Sequence, residues 1–161
     1  MMAEGKHRRD KYPELRRKIE KIVDAGESRE EKLSRVCKLL RDEVGIFDWV
    51  GFYLAEEDDR RLVLGPFAGE PTEHRSIESG DGVCGQVAES EDIQIVQDVS
   101  REENYLSCSP EVQSEIVVPI FLGGKFIGEL DIDSHTRSAF KAEDEKFLEG
   151  VVRQVMKVFD A

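Results

Sequence analysis

The chain has 161 residues, the size of one ordinary domain, and 23 Lys and Arg against 35 Asp and Glu give it a net charge of −12. That balance argues against a nucleic-acid or anionic-membrane partner, which needs a Lys/Arg excess on one face, and only the first twenty or so residues are basic. Hydrophobic residues are 39%, enough for a core, but no apolar run approaches the roughly eighteen residues of a membrane span. The charged start, Met1-Met2-Ala3-Glu4-Gly5-Lys6-His7-Arg8-Arg9, lacks the apolar region of a secretory leader. The expected location is the cytoplasm.

Three cysteines, Cys37, Cys84 and Cys108, make an odd number without CxxC spacing, which fits neither a disulfide scaffold nor a zinc site. Residues 11–24 place Leu15, Ile19, Ile22 and Val23 on one helical face, with Pro13 tolerable in a first turn. Ser28-Arg29-Glu30-Glu31 fits a capping box, and Leu33, Val36, Cys37, Leu40 and Val44 then mark a second helix ending near Gly45. Cys37 sits in that stripe and is expected to be an inert core thiol.

Trp49-Val50-Gly51-Phe52-Tyr53-Leu54 and Arg61-Leu62-Val63-Leu64-Gly65, separated by an acidic turn, predict a hairpin. A polar loop over residues 68–81 leads to Gly82-Val83-Cys84-Gly85-Gln86-Val87-Ala88, read as the start of a short helix, and then to a strand at Ile93-Gln94-Ile95-Val96. Residues 98–113 form a long polar segment of the kind that makes lids or binding loops, and Cys108 lies in it. Ile116 to Phe121, the turn Gly123-Gly124, and Phe126 to Asp133 give the best hairpin signal in the chain. A closing helix over residues 142–159 carries Phe147, Leu148, Val151, Val152, Val155 and Phe159 on one face and acids in its first turn. The predicted fold is α+β, a central antiparallel sheet with helices on one face and a ligand pocket under loops on the other. One domain is expected over residues 1–161, with N-terminal helices to residue 45 and the core with its last helix over 46–161.

Asp131 and Asp133 share a strand face, as either the floor of a pocket or a solvated outer surface. Glu115 enters an otherwise apolar strand directly after the long loop, so three carboxyl groups can converge. Gathered and desolvated, such groups raise one another's pKa, and one can stay protonated as a general acid; they can equally hold an ammonium. Glu115 alone reads equally as a strand-end residue in water. Cys84 near a helix N-terminus is either activated by the helix dipole or merely close-packed, and Cys108 on a polar loop suits a reactive thiol. Trp49 and Tyr53 share one strand face as pocket wall or as ordinary core. His7, His74 and His135 have no metal-ligand spacing, so no metal is expected, and neither GxxxxGK[ST] nor GxGxxG occurs.

The stretch Trp49 to Leu54, Leu64-Gly65-Pro66-Phe67-Ala68-Gly69, Gly82-Val83-Cys84-Gly85, Cys108 followed by Ser114-Glu115-Ile116-Val117-Val118-Pro119, and Gly128-Glu129-Leu130-Asp131-Ile132-Asp133-Ser134 together resemble the GAF-domain free methionine-(R)-sulfoxide reductases. The resemblance runs from about Trp49 to the final helix. It implies a GAF/PAS-like six-stranded antiparallel sheet and reduction of free methionine (R)-sulfoxide to methionine, with no cofactor. By positional match Cys108 is the nucleophile, Glu115, Asp131 and Asp133 bind and protonate the substrate, Trp49 and Tyr53 are the pocket aromatics, and Cys84 is the family's second cysteine. The family's resolving cysteine, ten residues before the GVCG cysteine, is replaced by His74. The resemblance further implies a thioredoxin-like or small-thiol reductant and a homodimer. A non-catalytic GAF module that binds a small ligand and signals is the alternative, and a dimerisation scaffold is a third reading that explains none of the thiols or carboxylates.

Overall fold

The structure is a computed structural model that describes residues 2–56, 61–103, 105 and 110–160, without the side chains of residues 2–7. In chain order the elements are α1 (Met2–Val23), α2 (Arg29–Glu43), β1 (Trp49–Ala55), β2 (Arg61–Ala68), β3 (Ser76–Glu78), α3 (Gly82–Ser90), β4 (Gln94–Val96), a 3₁₀ turn (Val99–Arg101), β5 (Ser114–Leu122), β6 (Lys125–Ser134) and α4 (Ala142–Phe159). The six strands form one sheet in the order β3-β2-β1-β6-β5-β4, and every neighbouring pair is antiparallel. The α+β fold with a central antiparallel sheet is the predicted one.

Period two gives each strand of this sheet two kinds of work. Val50 and Phe52 of β1, Ile116, Val118 and Ile120 of β5, and Leu130 and Ile132 of β6 pack against α1, α2 and α4 in the main core. The intervening residues Trp49, Tyr53 and Val117 belong to a second cluster with Ile77, Val83, Cys84 and Val87, so α3 and the segment before it roof the opposite face. Cys37 is fully buried in the main core, as its stripe predicts, and burial pushes its thiol pKa up. The apolar stripes of α1 and α4 are likewise spent inside the chain, Leu15, Ile19, Phe147 and Val151 all lying in that core. Gly123 and Gly124 close the β5–β6 hairpin with φ of 59° and 81°, values that suit glycine at both turn positions.

Two boundaries differ from expectation. α1 begins at Met2 rather than near residue 11, and Pro13 therefore lies inside the helix. Contacts that hydrophobic periodicity does not register dock the N-terminal half of α1, Arg8 alone of them lying in the extra turns. Arg8 donates to both carboxylate oxygens of Asp144 at 2.9 and 3.1 Å, Tyr12 stacks on Phe147 with centroids 3.8 Å apart, and Arg16 donates to Gln154 Oε1 at 2.7 Å. The segment expected to be loop over 68–81 contains β3, whose three residues pair with Arg61, Leu62 and Val63. A strand of three residues offers too little alternation to be seen in sequence. Cys108, and with it the middle of the long segment after β4, lies outside the described residues.

Candidate active site on the carboxylate face of the sheet

The register sets the site. β6 lies between β1 and β5, pairing Asp133 with Trp49 on one side and with Glu115 on the other, and Asp131 with Gly51 and Val117. Glu129 pairs with Tyr53. Because Glu129, Asp131 and Asp133 alternate with Leu130 and Ile132, all three carboxyl groups point away from the main core. Glu115, Asp131 and Asp133 are 2–4% exposed and Glu129 fully buried. The solvated-surface reading of Asp131 and Asp133 is thereby removed: they floor a buried face.

The aromatic wall is built by β1. Trp49 and Tyr53 are two registers apart on one face, with ring centroids 6.3 Å apart, and Trp49 also stacks on Phe67 of β2 at 5.6 Å. A side chain at Gly51 would collide with the Trp49 ring and with Phe67, so glycine lets the indole lie across the strand. The polar ends of both aromatics are pinned by the loop before β3. Trp49 Nε1 donates to the Glu70 carbonyl at 2.9 Å and Tyr53 Oη to the His74 carbonyl at 2.8 Å. Burial and the neighbouring acids push the Tyr53 phenol up, keeping it a neutral donor.

α3 brings Cys84 over the carboxylates. Its entry is tight: a Cβ on Gly85 would lie 2.6 Å from the Glu78 carbonyl, so glycine there lets α3 approach β3. The Cys84 sulfur lies 3.9 Å from Glu115 Oε2. Cys84 is 5% exposed, and burial first, then the charges of Asp131, Glu129 and Glu115, push its thiol well above the ordinary value. Of the two readings of Cys84, activation by the helix dipole or close packing, its burial and the surrounding carboxyl groups favour the second. Cys84, Tyr53, Thr72, His74, Asp131 and Asp133 line one narrow recess, which places His74 at its rim.

Burial first, and mutual repulsion second, pushes the carboxyl groups of the cluster toward their protonated forms. Burial raises Glu115 well above the usual carboxylate range, and the charges of Asp131 and Asp133 add to it. Burial also raises Asp131, partly offset by hydrogen bonding to Glu115 and Cys84. Glu129 is raised well above its ordinary value, chiefly by burial. Among the described residues no basic side chain offsets these shifts, so burial and like charge favour the protonated forms of the carboxyl groups. Sequence reasoning names Glu115, Asp131, Asp133, Trp49, Tyr53 and Cys84, and the structure brings all six together. It missed Glu129, although period two from Asp131 was the available signal. Cys108 is not among the described residues.

A GAF domain family model matches residues 26–160. The free methionine-R-sulfoxide reductase of Escherichia coli (strain K12) is 36% identical over 147 residues, covering 91% of this chain and 87% of that protein. The X-ray structure of free methionine-R-sulfoxide reductase from Neisseria meningitidis in complex with its substrate superposes with a TM-score of 0.87 at 35% identity, over 92% of this chain and 88% of the other. The fRMsr of Staphylococcus aureus in complex with substrate gives 0.83 at 36% identity, over 91% and 94%. With a six-stranded GAF sheet, a buried carboxylate face and this degree of identity over nearly its whole length, the chain belongs to the GAF-domain family of free methionine-R-sulfoxide reductases.

Proposed function

We propose that this chain reduces free methionine (R)-sulfoxide to methionine, with Cys108 as the nucleophile. The observation that carries the reading is the convergence of Glu115, Asp131 and Asp133, buried beneath Trp49 and Tyr53, in a chain of this family. A buried carboxyl cluster without a basic partner suits a substrate that brings its own ammonium group. A carboxyl held protonated, Glu115 foremost, donates to the sulfoxide oxygen and makes the sulfur electrophilic. The Cys108 thiolate attacks that sulfur as the protonated oxygen departs as water, and water then adds to the Cys108 sulfur as the new S–S bond breaks toward methionine. Methionine leaves, the water oxygen ends on Cys108 as a sulfenic acid, and sulfoxide has been reduced as thiol is oxidised. A second thiol condenses with the sulfenic acid, releasing water, and a dithiol such as thioredoxin reduces the disulfide.

His74 cannot take the resolving role of a cysteine, and Cys84 is buried among carboxyl groups that hold its proton. The group that resolves Cys108 is therefore an external thiol or Cys84 after the site has opened. The reading extends to a single GAF domain over residues 1–161, a homodimer and a cytoplasmic location, with thioredoxin or a small thiol as partner. Among the described residues no helix is long and apolar enough to cross a membrane.

The test is release of free methionine from separate (R)- and (S)-sulfoxides with dithiothreitol, followed by chromatography. The (R) form alone turns over; Cys108→Ser abolishes the reaction, and Asp133→Asn lowers it by about a hundredfold or more, as expected for loss of a positioned proton donor or substrate anchor. Folded wild-type protein that binds the sulfoxide without releasing methionine turns the reading over to a ligand-binding GAF module.

A further inference from the structure

We propose that the Cys84, Glu115 and Asp131 side chains form a site for a thiophilic divalent cation of the zinc type, and that this cation competes with the sulfoxide for the same face. The competition rests on the function proposed above; the binding does not. One ligand atom from each of the three residues lies within 4.8 Å of the other two, and the Cys84 sulfur stands 3.9 Å from Glu115 Oε2. Zinc with one sulfur at about 2.3 Å and oxygens at about 2.0–2.2 Å sets donors roughly 3.3–3.6 Å apart, so rotations of side chains close the set. The donors come from α3, β5 and β6. Spacing rules that look for paired cysteines and histidines in the sequence cannot find such a set.

A second observation independently calls for a cation. Glu129, outside the three-donor set, is fully buried, and no N–H or O–H donor reaches either of its carboxyl oxygens; the group that faces it is the Cys84 thiol. Glu115 Oε1 and Asp131 Oδ1 likewise lack a donor. The Cys84 thiol and the protons shared among the carboxyl groups are the donors at hand, and four carboxyl oxygens, both of Glu129, Oε1 of Glu115 and Oδ1 of Asp131, are left without an N–H or O–H partner among the described residues. A divalent cation at the three-donor centre supplies the positive potential they lack, and the one thiolate among them selects zinc over magnesium or calcium. Binding expels the Cys84 proton, and any proton on the two carboxyl groups, to solvent. A water in the fourth position completes the tetrahedron.

The experiment titrates cobalt(II), a spectroscopic substitute for zinc, into the reduced full-length protein under anaerobic, thiol-free conditions. The expected result is a sulfur-to-cobalt charge-transfer band that saturates at one equivalent, is erased by zinc, and is weakened by added methionine (R)-sulfoxide. Cys84→Ser removes the band, Cys108→Ser keeps it, and Glu115→Gln and Asp131→Asn each weaken binding by about tenfold or more, at least the loss that follows removal of an outer-shell partner. Circular dichroism establishes that each variant is folded. Absence of the band in wild type, or its survival in Cys84→Ser, overturns the proposal. A parallel single-turnover assay, also without thiol, separates it from the functional reading: methionine formed without a cobalt band sinks the metal site alone, whereas a cobalt band without methionine formation sinks the reductase reading alone.

Discussion

Glu129 shows how far a single side chain can be set against its surroundings. It is fully buried opposite Tyr53, and among the described residues no N–H or O–H donor reaches its oxygens, the Cys84 thiol being its polar neighbour. Its pKa is raised, so the native state keeps a proton that the unfolded chain gives up near pH 4.3. Below that pH both states are protonated and the residue costs nothing in linkage. Above it the native state binds more protons than the unfolded one, and stability falls as pH rises toward the native pKa. Glu129→Gln removes the titration. The variant therefore melts with wild type at about pH 4 and above it near pH 7.5, the gap opening as the glutamate of the unfolded chain ionises. Melting curves across that range check it, and a difference that does not change with pH would return Glu129 to an ordinary carboxyl.

At the scale of elements, α1 is docked by a polar clasp. Asp144 in the first turn of α4 is buried and accepts from Arg8, from the Tyr12 hydroxyl and from the Lys141 backbone N–H at 2.8 Å. Asp144→Ala strands the three donors together, and the expected loss is about 2–4 kcal/mol, read as a lower urea midpoint. A loss below about 0.5 kcal/mol would mean that apolar packing alone docks the helix. The clasp also explains what the sequence could show of the elements. Apolar periodicity located α2, α4 and the long strands because their buried faces are regular. It placed the start of α1 too late because residues 8–12 are fixed by charge and aromatic stacking with residues over 130 positions away. β3 escaped because its backbone pairing with β2, rather than its three side chains, defines it.

Across the whole molecule, the site was legible where alternation on one strand constrains faces and illegible where two strands must be laid side by side. Asp131 and Asp133 are on one face by counting. That Glu115 stands beside Asp133, with Cys84 against Glu115, follows only from the β5–β6 register and the docking of α3. The same arrangement divides the −12 net charge into two populations with different responses to salt. Surface acids repel through water, and that repulsion is screened once the Debye length falls to about 10 Å near 0.1 M salt. The buried carboxyl groups are penalised mainly by desolvation, which mobile ions do not reach. Raising sodium chloride at pH 7.5 is therefore expected to raise the melting temperature of wild type and of Glu129→Gln in parallel, leaving the gap between them unchanged. A gap that closes with salt would show instead that the carboxyl face is open to solvent, and with it would go the argument that these residues hold their protons by burial.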